Sequence, residues 1–488
     1  MDETHRLMQD RIKKLEELKA QGIDPYPYRF EKNSDSKQLQ EKFSHLEKEE
    51  KTTHHVKIAG RIMTMRRMGK VTFMHIQDGY GKIQLYLQED TAKNYELLKK
   101  FDMGDFIGVE GIIFKTRTGE ITVEVHTFTL LTKSLRPLPE KWHGLQELEL
   151  RYRQRYLDLI TNEKSKEVFI TRSKIVSAMR EFLDKKGFLE VETPTLQPIY
   201  GGAAAKPFTT MHNELKMKMY LKISDELYLK RLIIGGFEKV YEIDKDFRNE
   251  SIDTTHNPEF TMMECYWAYA DYNDVMELVE DLYVFIAEKV LGTTKVTYQE
   301  KTIDFKKPWK RMTMNDALRE FAKINVDDLS DDDLLKEIKK HKIELKHGDS
   351  RGYLIEALFG ELCEEHLIQP IFIIDHPKET TPLCKLHRKN PELIERFEPF
   401  CAGFEIGNAY SELNDPILQK QFLTEQAKLL KKGDEEANPL DDDFVEAMEY
   451  GMPPTGGLGI GIDRMVMLFT DAASIRDVIL FPTMKPKS

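Results

Sequence analysis

Phe247-Arg248-Asn249-Glu250 is followed, after Ser251-Ile252-Asp253-Thr254, by Thr255-His256-Asn257-Pro258-Glu259-Phe260-Thr261-Met262-Met263-Glu264. The pattern predicts two strands joined by a turn from Ser251 to Pro258 that carries His256. Alternate side chains of an extended chain share a face. Arg248 and Glu250 therefore fall together on the first strand, and Phe260, Met262, Glu264 and Tyr266 together on the second. Where the two faces coincide, a cation, two acids and two rings gather on one sheet surface. Such a cluster is costly unless ligands or partners satisfy it. An ordinary exposed hairpin is the alternative.

A second stretch, Gly457-Leu458-Gly459-Ile460-Gly461-Ile462-Asp463-Arg464, reads as a strand running into a helix with Asp463 as its cap. An arginine in a first helical turn opposes the helix dipole, so Arg464 hints at a bound anion. Together the two stretches resemble motifs 2 and 3 of the class II aminoacyl-tRNA synthetases. Gly407-Asn408-Ala409-Tyr410-Ser411-Glu412-Leu413-Asn414-Asp415, between them, resembles the lysine-specific members. The resemblance to bacterial-type lysyl-tRNA synthetases (subclass IIb) runs from Ile23-Asp24-Pro25-Tyr26-Pro27-Tyr28 to Ile475-Arg476-Asp477-Val478-Ile479-Leu480-Phe481-Pro482. Gly187-Phe188-Leu189-Glu190-Val191-Glu192-Thr193-Pro194 resembles motif 1, a dimer interface in that class.

With 488 residues the chain predicts two to four domains. Hydrophobic residues at 40% and charged residues at 32% fit a soluble globular protein. The early acids Asp2 and Glu3 and the lack of an apolar segment argue against a secretory or transit signal. Cys265, Cys363, Cys384 and Cys401 have no metal-type spacing and read as free thiols in a reducing cytoplasm. A net charge of -12 speaks against a general nucleic-acid binder. Binding needs only a local basic face, however. Arg11, Lys13, Lys14 and Lys19 on an early helix and Arg61, Arg66, Arg67 and Lys70 on a later strand and turn are the candidates. Their alternative is ordinary solvated charge.

Residues 1–53 read as a helical extension, with a helix over 4–21. Residues 54–135 read as an OB-fold barrel, 136–155 as a linker, and 156–488 as the catalytic domain with a helical insertion at about 308–370. The fold class is α+β, a β-barrel followed by an antiparallel sheet flanked by helices. Asp78-Gly79 between alternating runs signals a hairpin. Closing it with Gln77 opposite Lys82 sets His75 against Gln84 and Phe73 against Tyr86. Aromatic rings and amides then share the face opposite Met74, Ile76, Ile83, Leu85 and Leu87. Single-stranded RNA bases need both kinds of group.

The resemblance implies ATP-dependent ligation of L-lysine to the 3′ end of tRNA(Lys) through a lysyl-adenylate, releasing AMP and pyrophosphate. It implies catalytic roles for Arg248 and Arg464, and a lysine pocket of Gly202, Glu226, Arg248, Glu264, Tyr266, Asn408, Tyr410 and Glu412. ATP falls to Arg248, Glu250, His256, Asn257, Phe260, Glu405 and Arg464, and Mg²⁺, as several ions, to Glu398 and Glu405. Glu405 has the wrong parity to share a strand face with Asn408, Tyr410 and Glu412, so it works from the other face or Gly407 marks a bulge. Arg66, Phe73 and Gln84 are the implied anticodon contacts. A homodimer and a cytoplasmic location follow from the same resemblance. Two alternatives remain. Aspartate or asparagine ligation on the same scaffold is disfavoured by Glu412 and Tyr266, and a silent RNA-binding relative by Arg248, Glu405 and Arg464.

Overall fold

The computed structural model describes residues 3–139, 148–345 and 348–486. Part of the expected linker, residues 140–147, lies outside them. The chain divides into two compact units, Met1–Gly144 and Leu145–Ser488.

In the first unit, helix Glu3–Ala20 stops before Gly22, whose φ of 74° breaks the helical turn. A short helix, Ser36–Lys42, starts where the Asp35 side chain accepts from Gln38 N. Strands Lys51–Met68, Val71–Gln77, Lys82–Gln88, Phe106–Lys115 and Ile121–Thr132 close into a barrel. The hairpin register pairs Gln77 with Lys82, His75 with Gln84 and Phe73 with Tyr86. Its turn is locked because Asp78 accepts hydrogen bonds from Tyr80 N at 2.8 Å and Gly81 N at 3.0 Å. Met74, Ile76, Ile83, Leu85 and Leu87 point into the barrel core.

The expected basic face is largely committed to this fold. Arg11 is buried and donates to the carbonyls of Ser134, Arg136 and Met103. Lys14 pairs with Asp102 at 2.6 Å. Arg61 lies over the Phe106 ring and donates to Gly104 O, and Arg67 donates to Leu98 O. A guanidinium has five donors, and here they satisfy carbonyls left over at strand and helix ends. Arg66 stays exposed, beside Phe73 across the strand pair.

The second unit is built on one large sheet. From one edge its main path runs Lys310–Thr313, Ile371–Pro377, Leu393–Cys401, Asn408–Ser411, Thr455–Gly461, Glu259–Ala268, Lys239–Phe247 and Leu189–Glu190. Short strand Phe404–Glu405 pairs with Leu393–Cys401 off that path. Pairing is parallel only at the two ends, and helices between Met314 and Leu362 cross over from Lys310–Thr313 to Ile371–Pro377. Strand alternation divides the sheet. Met263, Cys265, Leu458, Ile460 and Ala409 join a core with helices Glu163–Lys185, Tyr272–Leu291 and Ile462–Thr470. The intervening residues face a cavity on the other side. Helix Tyr272–Leu291 starts in a capping box of Asp271 and Asp274 and ends at Gly292, which fixes its span. Among the described residues no helix is long and apolar enough to cross a membrane.

Candidate active site

The cavity has a volume of about 470 Å³. Every residue expected in the lysine, ATP and metal sites lines it. Two expected placements are nevertheless wrong in detail. Arg248 and Glu250 do not share a strand face, because the strand ends at Phe247. One more ladder bond, Arg248 N to Pro258 O at 2.9 Å, precedes the turn, where Glu250 N folds back to Arg248 O. Asp463 does not cap its helix either. The helix begins at Ile462 with Gly461 at the cap, and Asp463 accepts from Thr261 N at 2.7 Å and from Arg172 at 2.5 Å.

The closed end of the cavity is acidic. Helix Glu226–Ile234 packs Leu229 and Ile233 against Val240, Tyr266 and Ala268. This sets Glu226 and Lys230, one turn apart, at the cavity floor. The fully buried Lys230 ammonium pairs with both Glu226 and Glu412. Burial alone would depress that ammonium, but the two carboxylates outweigh it and hold it above the usual lysine value. Tyr410 OH donates to Glu226 at 2.5 Å. Glu264 accepts from Ser224 Oγ at 2.8 Å, from Asp225 N at 3.2 Å and from Tyr266 OH at 3.0 Å. Burial, with Asp225 and Glu226 nearby, pushes the Glu264 carboxyl up to about 8. Burial likewise raises Glu412 well above the carboxylate range, against the pull of Lys230. Lys230 is the only cation on Glu412 among the described residues, and Oε1 has no partner. Two glycines make this room. A Cβ at Gly457 would lie 1.9 Å from Glu412 Oε1, and one at Gly202, with φ of 93°, 2.7 Å from Ser224 Oγ.

The open end mixes cations and acids. The Arg248 guanidinium sits 5.0 Å from the Phe260 ring centroid. Arg464 donates to Glu405 O at 2.7 Å and lies 3.3 Å from Glu405 Oε2. His256 Nδ1 is held by Asp253 at 2.8 Å while its Nε2 is 3.4 Å from Arg464. Asn257 is buried, and its amide closes the turn by donating to Glu259 O at 2.6 Å. Glu398 pairs with Arg396 at 2.5 Å, and Arg396 also donates to Asn408 at 2.9 Å.

The parity of Glu405 is resolved by a bulge. Glu405 lies opposite Phe400 and Ala409 opposite Phe397, so four steps on one strand meet three on its neighbour. The extra residue falls at Ile406-Gly407, which turns Glu405 onto the face of Asn408 and Tyr410. The Glu405 side chain keeps 38% of its surface exposed to the cavity. It still lies deep among protein atoms, and burial and Glu398 raise its carboxyl against Arg464, Arg396 and Arg248.

Sequence reading missed Lys230, Arg396 and a rear group made of Lys222, Asp225 and Asp246. The spacing of Glu226 and Lys230 by one helical turn was a usable signal for the first. On the barrel, Phe73 and Tyr86 rings lie 5.2 Å apart and Tyr86 and Phe114 rings 5.7 Å apart. Gln84 donates to Glu120 at 2.7 Å and accepts from Thr122 at 2.9 Å, while His75 contacts Glu120 at 2.8 Å.

Residues 147–485 match the family model for class II tRNA synthetases of the D, K and N group, and residues 56–131 match that for the OB-fold nucleic acid binding domain. A lysine–tRNA ligase of Clostridium novyi is 55% identical over 494 residues, covering 99% of this chain and 95% of the relative. One of Carboxydothermus hydrogenoformans is 54% identical over 488 residues, covering 99% of both. An acidic pocket with an unfilled carboxylate oxygen, a guanidinium-lined cleft beside it and these likenesses converge, and the chain belongs to the lysine–tRNA ligases of the class II aminoacyl-tRNA synthetases.

Proposed function

We propose that the cavity activates L-lysine with ATP as lysyl-adenylate and passes the lysyl group to the 3′ end of tRNA(Lys), releasing AMP and pyrophosphate. The observation that carries the pocket assignment is Glu412 Oε1, a buried acceptor with no hydrogen-bond partner among the described residues. Glu412 and Tyr266 take the ε-ammonium of lysine, Glu226 and Glu264 its α-ammonium, and Arg248 its carboxylate. Gly202, Asn408 and Tyr410 shape the walls. Charge supports this choice. Glu226, Glu264 and Glu412 outnumber Lys230 and Arg248, and an arriving ammonium draws the raised carboxyls of Glu264 and Glu412 into their ionised forms. Lysine supplies ammonium groups for these acids to accept from, whereas aspartate would add a further carboxylate.

Arg248, Glu250, His256, Asn257, Phe260, Glu405 and Arg464 form the ATP site. Phe260 offers a stacking face, and the guanidinium forks suit phosphate and carboxylate oxygens. The chemistry needs no protein nucleophile, because a free carboxylate is already ionised at neutral pH. It attacks the α-phosphorus as pyrophosphate leaves. Arg248 orients the attacking carboxylate against the phosphate and stabilises the charge that develops. Arg464 holds the far phosphates. Glu398 and Glu405 are oxygen donors lining the same cavity, and the burial and Glu398 charge that raise Glu405 fit a site for Mg²⁺, a hard ion. Bound there, Mg²⁺ would neutralise phosphate charge.

Arg66, Phe73 and Gln84 form the anticodon contacts, with Phe73 the stacking ring. The protein works as a homodimer in the cytoplasm. Exposed Leu189 and Leu196, in and beside the motif 1 stretch, support the dimer reading. ATP–pyrophosphate exchange run with lysine, aspartate and asparagine tests the central claim. Exchange with lysine alone is expected, and exchange driven by aspartate or asparagine, or by none of the three, would overturn it.

A further inference from the structure

Behind the lysine pocket stands a further group of buried acids that meets the pocket at Glu264. Asp225, Glu242 and Asp246 are buried there, and Lys222 is the buried cation among them. Lys222 lies 2.6 Å from Asp225 and 3.2 Å from Glu242. Its other partner, Asp244, is 40% exposed and solvated. Three buried carboxylates share one ammonium, and burial with the neighbouring acids pushes Asp225 up to about 7 and Asp246 well above the carboxylate range. Hydrogen bonds do not relieve this crowding at Asp246. Asp246 is fully buried, and neither of its oxygens has a hydrogen-bond partner among the described residues. It aims at a cluster in which one carboxylate oxygen each from Asp225, Asp246 and Glu264 lies within 4.8 Å of the other two.

We propose that Asp225, Asp246 and Glu264 hold a hard divalent cation, separate from the one that would accompany ATP at Glu398 and Glu405. Cation–oxygen bonds of about 2.1–2.5 Å set ligand oxygens roughly 3–5 Å apart, which matches the cluster. The donor set contains no histidine or cysteine, so it favours magnesium- or calcium-like ions over softer metals. Three separate elements supply the ligands. Asp225 precedes helix Glu226–Ile234, Asp246 comes from strand Lys239–Phe247, and Glu264 from strand Glu259–Ala268. Ser224 Oγ, Asp225 N and Tyr266 OH already orient the Glu264 carboxylate, as outer partners orient metal ligands. The cation would tie the floor of the amino-acid pocket to the strand that leads into Arg248.

The test uses the full chain without ATP, lysine or tRNA, so its outcome is independent of the proposed activity. A Glu398→Gln, Glu405→Gln double variant silences the other acidic pair. Mn²⁺ is then titrated into metal-stripped protein, with bound ion counted by electron paramagnetic resonance and melting followed in parallel. One Mn²⁺ per chain, a melting temperature that rises with Mn²⁺, and an anomalous peak among the three carboxylates are expected. Asp246→Asn added to this background should lose the bound ion and melt higher than its parent in metal-free buffer. Asp225→Asn should behave likewise, which guards against a folding defect in either variant. No bound Mn²⁺ in the double variant, undiminished binding after Asp246→Asn, or a melting response to Na⁺ or K⁺ but not Mn²⁺ would overturn the proposal.

Discussion

Two antiparallel surfaces carry the polar chemistry of this chain, and they treat it in opposite ways. On the barrel hairpin, His75, Gln84, Glu120 and Thr122 satisfy one another beside the Phe73 and Tyr86 rings. In and behind the cavity, Glu412 and Asp246 carry carboxylate oxygens with no hydrogen-bond partner among the described residues. Around Phe73 and Tyr86 the hairpin's polar groups are paired without a guest, and those of the cavity are not. Affinity at the barrel must therefore come from stacking laid over a finished surface. In the cavity it comes from supplying missing charge, and energies there are larger because burial magnifies each unpaired group.

The largest effect expected from breaking this contrast is at Lys230. Lys230→Met leaves Glu226 and Glu412 facing each other in the core. Unfolding by denaturant should register a loss of about 3–5 kcal/mol. Added lysine should recover more stability for the variant than for the parent, and an unchanged midpoint would show that the ion triad is not holding the floor. Arg248→Ala acts on chemistry instead. Loss of a charged group that stabilises developing charge costs about 10²–10³ in kcat. Pyrophosphate exchange should fall by that factor with the melting temperature little changed.

A pH series sharpens the comparison without a mutation. Glu264, up at about 8 from the ordinary 4.5, binds its proton more tightly in the folded chain than in the unfolded one. Its contribution to stability is complete below about pH 4.5 and is lost as pH climbs through about 8. An arriving ammonium favours the ionised carboxylate, so lysine binding releases protons. Calorimetry should find the lysine Kd falling from about pH 6 to pH 8 and levelling above, with the lysine-induced rise in melting temperature growing over the same window. The barrel offers the smallest effects. Phe73→Ala should weaken tRNA binding by about 1–3 kcal/mol while leaving lysine-dependent exchange intact. Arg66→Ala should lower the salt dependence of tRNA binding by about one phosphate contact.

The barrel hairpin was legible because Asp78-Gly79 fixes the turn, and a fixed turn fixes every later pair. The face of Phe260, Met262, Glu264 and Tyr266 was legible for a related reason, since a long regular strand preserves its alternation. Where regularity stops, so does legibility. Arg248 and Glu250 lie past the strand end, and Asp463 gave up the expected cap for Thr261 and Arg172, distant residues that no local pattern names. Lys230 shows the same limit. Its spacing to Glu226 is local, but Glu412 is brought to it only by the assembled sheet. Asp246 carries no local signal at all, because its neighbours in the cluster come from other elements.

The supernumerary residue at Ile406-Gly407 sets the phase between the two small substrates. Upstream of it stands Glu405, assigned to the nucleotide, and downstream stand Asn408, Tyr410 and Glu412, assigned to the amino acid. Excising that single position would swing one group toward the core while the other kept its aim. Deletions at this point would therefore uncouple the two recognition events rather than weaken both, unlike deletions in the connecting loops around it.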